Sequence, residues 1–243
     1  VGTSIKPTGF EHAAAALRYW TRRQEVVANN LANVDTDGFK GELSYAQLVA
    51  GQAGPVAGQA TDLRAGTITT TGQPLDLAIA GDGFFLVESE GGAKLSRGGA
   101  LQLDGQGRIV DARGHALLAQ GATAQGGAAV TVPVNAARIE IDAGGSIKAD
   151  GKVVGTLAVV KPAAGAPLAH AGDTLFTAGA VEDVAAGDRH VRQGAREGSN
   201  VHPLEAMVDM ITIQRATGGV QKALSTLDAA RGIAVSELGK SAQ

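Results

Sequence analysis

The sequence predicts an α+β fold. N- and C-terminal helices pair as a coiled-coil-like inner domain, a central antiparallel β-rich domain lies between them, and an extended connecting arm joins the two parts. Three observations predict this. Apolar residues recur at alternating steps of three and four at both chain ends, the period of a helical seam. Between the ends, short apolar runs alternate with turn dipeptides at roughly ten-residue spacing, which argues hairpins and not βαβ units. Of 243 residues, 44% are hydrophobic and 19% charged, so the chain can build a core and is no disordered polyelectrolyte.

The first segment, residues 1–35, carries the N-terminal helix. Phe10, Ala13, Leu17, Trp20, Gln24, Val27, Leu31 and Val34 form its seam, with one polar lapse at Gln24, and Glu11, Arg18, Arg22, Arg23 and Glu25 form a solvated face. The helix is expected to stop near Asn33, because Asp35-Thr36-Asp37-Gly38 tolerates left-handed backbone. Residues 36–75 have no clear period and are punctuated by Gly51, Gly54, Pro55, Gly58 and Gly66. They read as an extended arm with a short helical or strand piece near Leu43 to Val49.

Residues 76–180 read as the β-rich domain. Runs such as Phe84-Phe85-Leu86-Val87 and Arg138-Ile139-Glu140-Ile141 are separated by Gly91-Gly92, Asp104-Gly105, Gly144-Gly145 and Asp150-Gly151. Residues 181–199 read as a mixed-charge return linker. Residues 200–243 carry the second helix, with Ala206, Met210, Ile213, Thr217, Val220, Leu224, Leu227, Arg231, Ala234 and Leu238 along its seam. Ser199 or Asn200 marks the N-cap region, Pro203 suits the first turn, and Gly218-Gly219 is expected to interrupt the helix.

Composition narrows the function. A formal charge of −3 gives no basic excess for a nucleic-acid backbone. Cysteine is absent, which removes disulfides, thiolate metal sites and cysteine nucleophiles together. Apolar stretches fall far short of a bilayer span, and the opening Val1-Gly2-Thr3-Ser4-Ile5-Lys6 lacks the apolar run of a signal peptide. Aromatics are only 3%, so a core of Val, Leu, Ile and Ala buries less area per residue and leans on neighbours.

Motifs that imitate active sites are incomplete. Asn33 to Gly38 opens like a calcium loop, yet the twelfth position is Ser44. Gly81-Asp82-Gly83-Phe84-Phe85-Leu86 lacks the third glycine of a dinucleotide fingerprint, and Gly151-Lys152 is followed by Val153, not a hydroxyl residue. His12, His115, His170, His190 and His202 have no metal spacing. No catalytic residue, metal or cofactor is expected.

Amphipathic helices of this length are marginal in water when alone. The economical solution pairs the two ends. Leu204, Met207, Val208 and Ile211 then extend the second stripe to another face, whose burial needs other subunits; the alternative is that both helices pack on the β domain of their own chain. A head-to-tail contact between copies generates a ring or an open helix.

Three segments carry a family resemblance. Ala28-Asn29-Asn30-Leu31-Ala32-Asn33-Val34-Asp35-Thr36-Asp37-Gly38-Phe39-Lys40 resembles the N-terminal signature of bacterial flagellar rod and hook proteins. Gly72-Gln73-Pro74-Leu75-Asp76-Leu77-Ala78-Ile79-Ala80-Gly81-Asp82-Gly83-Phe84-Phe85 resembles the start of that family's β domain, and Ser199 to Ile211, continued by Gln214-Arg215-Ala216, resembles the start of its C-terminal helix. After Ala216 the family usually has an aromatic and an acidic residue, where this chain has Thr217-Gly218. Arg22-Arg23-Gln24-Glu25-Val26-Val27-Ala28-Asn29-Asn30 and the chain length look most like the proximal rod members.

The resemblance implies a structural subunit of the flagellar basal-body rod. It would self-assemble helically through its terminal helices, line a central export channel, transmit torque across the periplasm, and serve motility. Its partners would be its own copies, other axial proteins and the flagellar export apparatus, with no nucleic acid and no membrane span. The implied assembly interface comprises Phe10, Leu17, Trp20, Val27, Asn29, Asn30, Leu31, Asn33 and Val34 on the first helix, and Leu204, Met207, Met210, Ile211, Val220, Leu224 and Leu227 on the second. Thr36, Gly38, Phe39, Gly81, Gly83, Phe84 and Phe85 form the turn and domain-boundary motifs. The competing readings are a distal rod or hook-type subunit, a monomeric adhesin-like β protein, and a hydrolase using carboxylates of the β domain.

Overall fold

In the computed structural model, which describes residues 9–50, 53–166, 168–172 and 174–241, the chain forms two compact units. One gathers both chain ends with residues 42–60; the other holds residues 33–41 and 61–201. Residues 1–8 of the expected first segment lie outside the described residues, as do the side chains of the expected seam positions Ala234 and Leu238.

The helical unit contains α1, Gly9–Ala32, and α2, Pro203–Ser241. The helices are in contact and run antiparallel. Arg23 lies 3.7 Å from Asp209 near the start of α2, whereas the Arg231 guanidinium sits 5.6 Å from the Phe10 ring centroid. Ala15, Val26, Val27, Ala206 and Ile213 are buried. Helix α2 begins at Pro203, where the missing N–H costs nothing, and the His202 carbonyl accepts the first helical bond from Ala206 at 3.0 Å. His202, not Ser199 or Asn200, therefore holds the cap position. The helix continues through Gly218-Gly219 without the expected interruption.

Residues 36–75 are not one extended arm. Glu42–Gln47 and Val56–Thr61 pair as a two-stranded sheet, and Ile68–Thr70 pairs antiparallel with Ala195–Glu197. The Asn30 amide fixes the first strand, donating to the Glu42 carbonyl at 2.8 Å and accepting its N–H at 2.9 Å. The return segment 181–199 likewise holds strands: Val181–Asp183 joins the main sheet, and Val191–Gln193 pairs with Leu77–Ile79. Ile68–Thr70, Val181–Asp183, Val191–Gln193 and Ala195–Glu197 are only three residues long, so they leave no local periodic signature.

The β unit is built on an antiparallel six-stranded sheet in the order Leu168–His170, Leu175–Ala178, Gly92–Ser96, Phe84–Ser89, Val159–Pro162, Val181–Asp183. Successive side chains of a strand face opposite ways. Phe85 and Val87 therefore enter a core with Leu77, Ile109, Leu117 and Ile147, while Phe84 and Leu86 enter another with Leu95, Leu118 and Phe176. Burial on both faces explains the unbroken apolar run.

One turn recurs three times. Asp104, Asp111 and Asp142 each accept, through Oδ1, the N–H groups two and four residues on. The residue three positions on is Gly107, Gly114 or Gly145, with φ of 77°, 90° and 83°. That left-handed backbone is glycine's territory. The Arg108 N–H, followed by the Arg108 side chain, holds the Asp104 carboxyl below its usual range.

Candidate functional site

In the β unit, the two stretches of chain that lead to and from the helices run side by side. Gly38 N–H donates to the Glu197 carbonyl at 2.7 Å, and Gly41 N–H donates to Asn200 Oδ1 at 2.8 Å. The Asn200 amide also donates to the carbonyls of Asp62 and Arg64, at 2.8 and 3.1 Å. Gly38 has φ of 70°, and a Cβ there would strike the Arg97 backbone, so this position of the turn motif is closed to other residues.

These crossings enclose a buried ionic triad. Lys40 and Glu197 are both 0% exposed, and Arg97 is buried beside them. Lys40 Nζ donates to Glu197 Oε1 at 2.6 Å and to the Arg64 carbonyl at 2.7 Å. Arg97 Nη1 donates to Glu197 Oε2 at 2.9 Å and to the Ile79 carbonyl at 3.1 Å, and Nη2 reaches the Gly81 carbonyl at 2.8 Å. Gly66 N–H adds a further bond to Glu197 Oε1 at 2.9 Å. The guanidinium lies 5.1 Å from the Phe84 ring centroid. Burial pushes the Lys40 ammonium below its usual pKa and the Glu197 carboxylate opposes that shift. Two cations thus depend on one carboxylate, and deleting Glu197 would strand both in a dry interior.

A second layer of charge surrounds the triad. Arg196 bridges Asp76 at 2.7 Å and Asp37 at 3.2 Å; the Asp76 bond, then the Asp37 bond, raise its pKa. Arg64 grips Asp62 through both carboxylate oxygens and holds that carboxyl low. This arrangement joins strands and turns: Lys40 Nζ, both Arg97 Nη atoms and both Glu197 carboxylate oxygens bond to protein partners, while Arg97 Nε is buried without one. Among the described residues no three His, Asp or Glu side chains gather to hold a metal ion, and no helix is long and apolar enough to cross a membrane.

The sequence-predicted motif residues fall around this site. Phe39, Phe84 and Phe85 are buried, Gly81 receives Arg97, and Gly83 has φ of 127° with Val159 against it. The Thr36 hydroxyl donates to Asn33 Oδ1 at 3.3 Å, and Thr36 N–H to the Asn33 carbonyl at 3.2 Å. Val34 is half-buried in the same unit. Arg97, Glu197 and Asn200 were missed as site residues, and Lys40 was read only as the tail of a motif.

The predicted interface residues of the helical unit divide in two. Val27 is buried, and Leu17, Trp20, Asn30, Leu31, Met210, Val220 and Leu224 are half-buried. Phe10, Asn29 and Leu227 are exposed. On α2, Leu204 is 77% exposed, Met207 49%, Val208 63% and Ile211 50%. Their spacing of three, one and three places them on one helical face.

Comparison with known proteins gives matches along the same three segments. Residues 10–40 match the family described as flagella basal body rod protein, 78–149 the flagellar hook protein FlgE/F/G D1 domain, and 192–236 the flagellar basal body rod FlgEFG protein C-terminal. Lys40, Arg97 and Glu197 come one from each. The chain is 32% identical to the flagellar basal-body rod protein FlgF of Caulobacter vibrioides over 90% of this chain and 93% of that one. It is 33% identical to FlgF of Salmonella typhimurium over 89% and 92% of the two chains. It is 30% identical to the rod protein FlgG of Agrobacterium fabrum over 84% and 89%.

Proposed function

The chain belongs to the bacterial flagellar basal-body rod and hook protein family, most like its proximal rod protein, and from that premise we propose that its helical unit is the element that polymerises. The protein is a structural subunit of the basal-body rod. Its copies associate with one another and with other axial flagellar proteins, stack helically through α1 and α2 packed in a coiled-coil-like manner, line a central channel and transmit torque. The β unit closes its own core, and export runs through the flagellar export apparatus. The family is structural, and we assign the chain no catalytic step.

The observation that carries this reading is the exposed face of α2 at Leu204, Met207, Val208 and Ile211. A contiguous apolar face rimmed by polar residues marks an interaction surface, and a shaft that carries torque needs many distributed contacts. The test is the double variant Leu204→Asp/Val208→Asp. It should abolish incorporation into basal bodies and motility while the free chain keeps its urea midpoint. Normal swimming by this variant would contradict the proposal.

A further inference from the structure

We propose that Asp82-Gly83 is a modification site at which the folded chain forms isoaspartate spontaneously. The reaction goes beyond the proposed function and needs neither a partner nor assembly.

The chemistry is intramolecular. The backbone nitrogen that follows an aspartate attacks that aspartate's Cγ, loses its proton and expels a carboxyl oxygen as water, which leaves a succinimide ring. Water then opens the ring at either carbonyl. One opening restores aspartate. The other routes the main chain through Cβ and Cγ and leaves a free α-carboxylate. No atom is gained or lost over the cycle. A glycine on the nitrogen side favours closure, because it brings no side chain to crowd the ring. What opposes closure in a folded protein is a carboxylate already held by other groups.

The chain has four Asp-Gly steps, at Asp37, Asp82, Asp104 and Asp150. The fold holds three of them. Asp37 accepts from Arg196 at 3.2 Å, and the Gly38 N–H that would attack is committed to the Glu197 carbonyl at 2.7 Å. Asp104 Oδ1 accepts the N–H groups of Gln106 and Arg108, and its Oδ2 accepts from Arg108 Nε at 2.7 Å. Asp150 Oδ1 accepts the N–H groups of Ala137 and Arg138 at 3.1 and 2.9 Å. Turning any of these carboxyls onto the next nitrogen breaks those bonds. Asp82 differs. It lies exposed in the bend between Leu77–Ile79 and Phe84–Ser89, and among the described residues its carboxylate has no hydrogen bond and no ion pair.

The position gives the reaction a consequence. Before Asp82, the Gly81 carbonyl accepts Arg97 Nη2 at 2.8 Å; after it, the Phe84 ring centroid lies 5.1 Å from the same guanidinium. Gly83 between them has φ of 127°, with Val159 and Val184 close to where a Cβ would stand. Isoaspartate lengthens the main chain by one atom inside this span, so Gly81 and Phe84 cannot both keep their places on Arg97. Ageing at Asp82 therefore loosens the buried triad, where a cation that loses partners has no water to replace them.

The full chain is incubated at neutral pH, both folded and in urea. Isoaspartate is labelled by protein isoaspartyl methyltransferase with isotopically marked S-adenosylmethionine and placed by peptide mapping. In urea all four steps should react. In the folded chain the label should accumulate at Asp82 and lag at the other three, and the urea midpoint of the β unit should fall as it does. Asp82→Glu enlarges the ring that must close; it should start from the same midpoint and keep it over the same period. The proposal is overturned if a folded chain whose four steps react in urea gains no label at Asp82. It is equally overturned if Asp37, Asp104 or Asp150 is labelled as fast as Asp82, or if the midpoint of Asp82→Glu falls in step with that of the parent.

Discussion

The β unit and the helical unit draw on similar apolar residues but bury them differently. In the β unit, Leu77, Ile79, Phe85, Ile109, Leu118, Leu157, Val159 and Phe176 are almost wholly withdrawn from water. Along α2, a helix of 39 residues, the buried side chains among those described are Ala206 and Ile213, while Leu204, Val208, Ile211 and Ile233 lie open. One unit closes a core within a single chain. The other arrives with its apolar surface unspent. Substitutions in the first should therefore change folding, and substitutions in the second should change assembly.

The largest effect should come from Glu197→Ala, which leaves Lys40 and Arg97 buried without a counter-charge. The β unit should lose ~3–5 kcal/mol, read as a fall in its urea midpoint. Ile213→Ala removes one of the few buried side chains of α2 and should cost about 2–4 kcal/mol in the helical unit, followed by helical circular dichroism on heating. Gly38→Ala forces an unfavourable backbone angle as well as a collision, and should cost the β unit at least ~1 kcal/mol in the same urea titration.

Acid should sharpen the contrast further. Arg64 lowers the Asp62 pKa below its ordinary 3.8, so the folded β unit releases this proton more readily than the unfolded chain. Asp62 therefore contributes stability that is present above 3.8 and is lost as pH falls through its lower folded value. Asp62→Asn should flatten the acid limb of the β unit's stability profile, measured as urea midpoint against pH. The smallest effect belongs to Leu204→Ala, within about 0.5 kcal/mol in the free chain by urea titration, because the side chain it removes is already in water.

Both terminal helices were readable because their seams repeat over many turns, and α1 ends one residue short of the Asn33 stop. The pair Phe84-Phe85 was readable as strand, and the turns near it as turns. In the stretch 36–75 the piece near Leu43 to Val49 was readable and is the strand Glu42–Gln47, but its pairing with Val56–Thr61 was opaque because the hairpin turns its apolar residues Leu43 and Tyr45 outward, so no buried face imprints a pattern. Glu197 was opaque for a different reason. It stands among Arg192, Arg196 and Asp188 in what reads as a solvated charged linker, and its partners are 157 and 100 residues away. Only the fold brings those charges together. Gly218-Gly219 misled in the other direction: each glycine costs a helix roughly 1 kcal/mol relative to alanine, too little to break one this long.

The native sequence supplies its own reporter for the central claim. It has two methionines; Met207 is 49% exposed on the open face and Met210 is half-buried one turn on. Peroxide converts an accessible methionine to its sulfoxide. In the free chain Met207 should oxidise readily, and in assembled rods it should be protected. Equal oxidation of Met207 in both states, or protection already present in the free chain, would contradict the account.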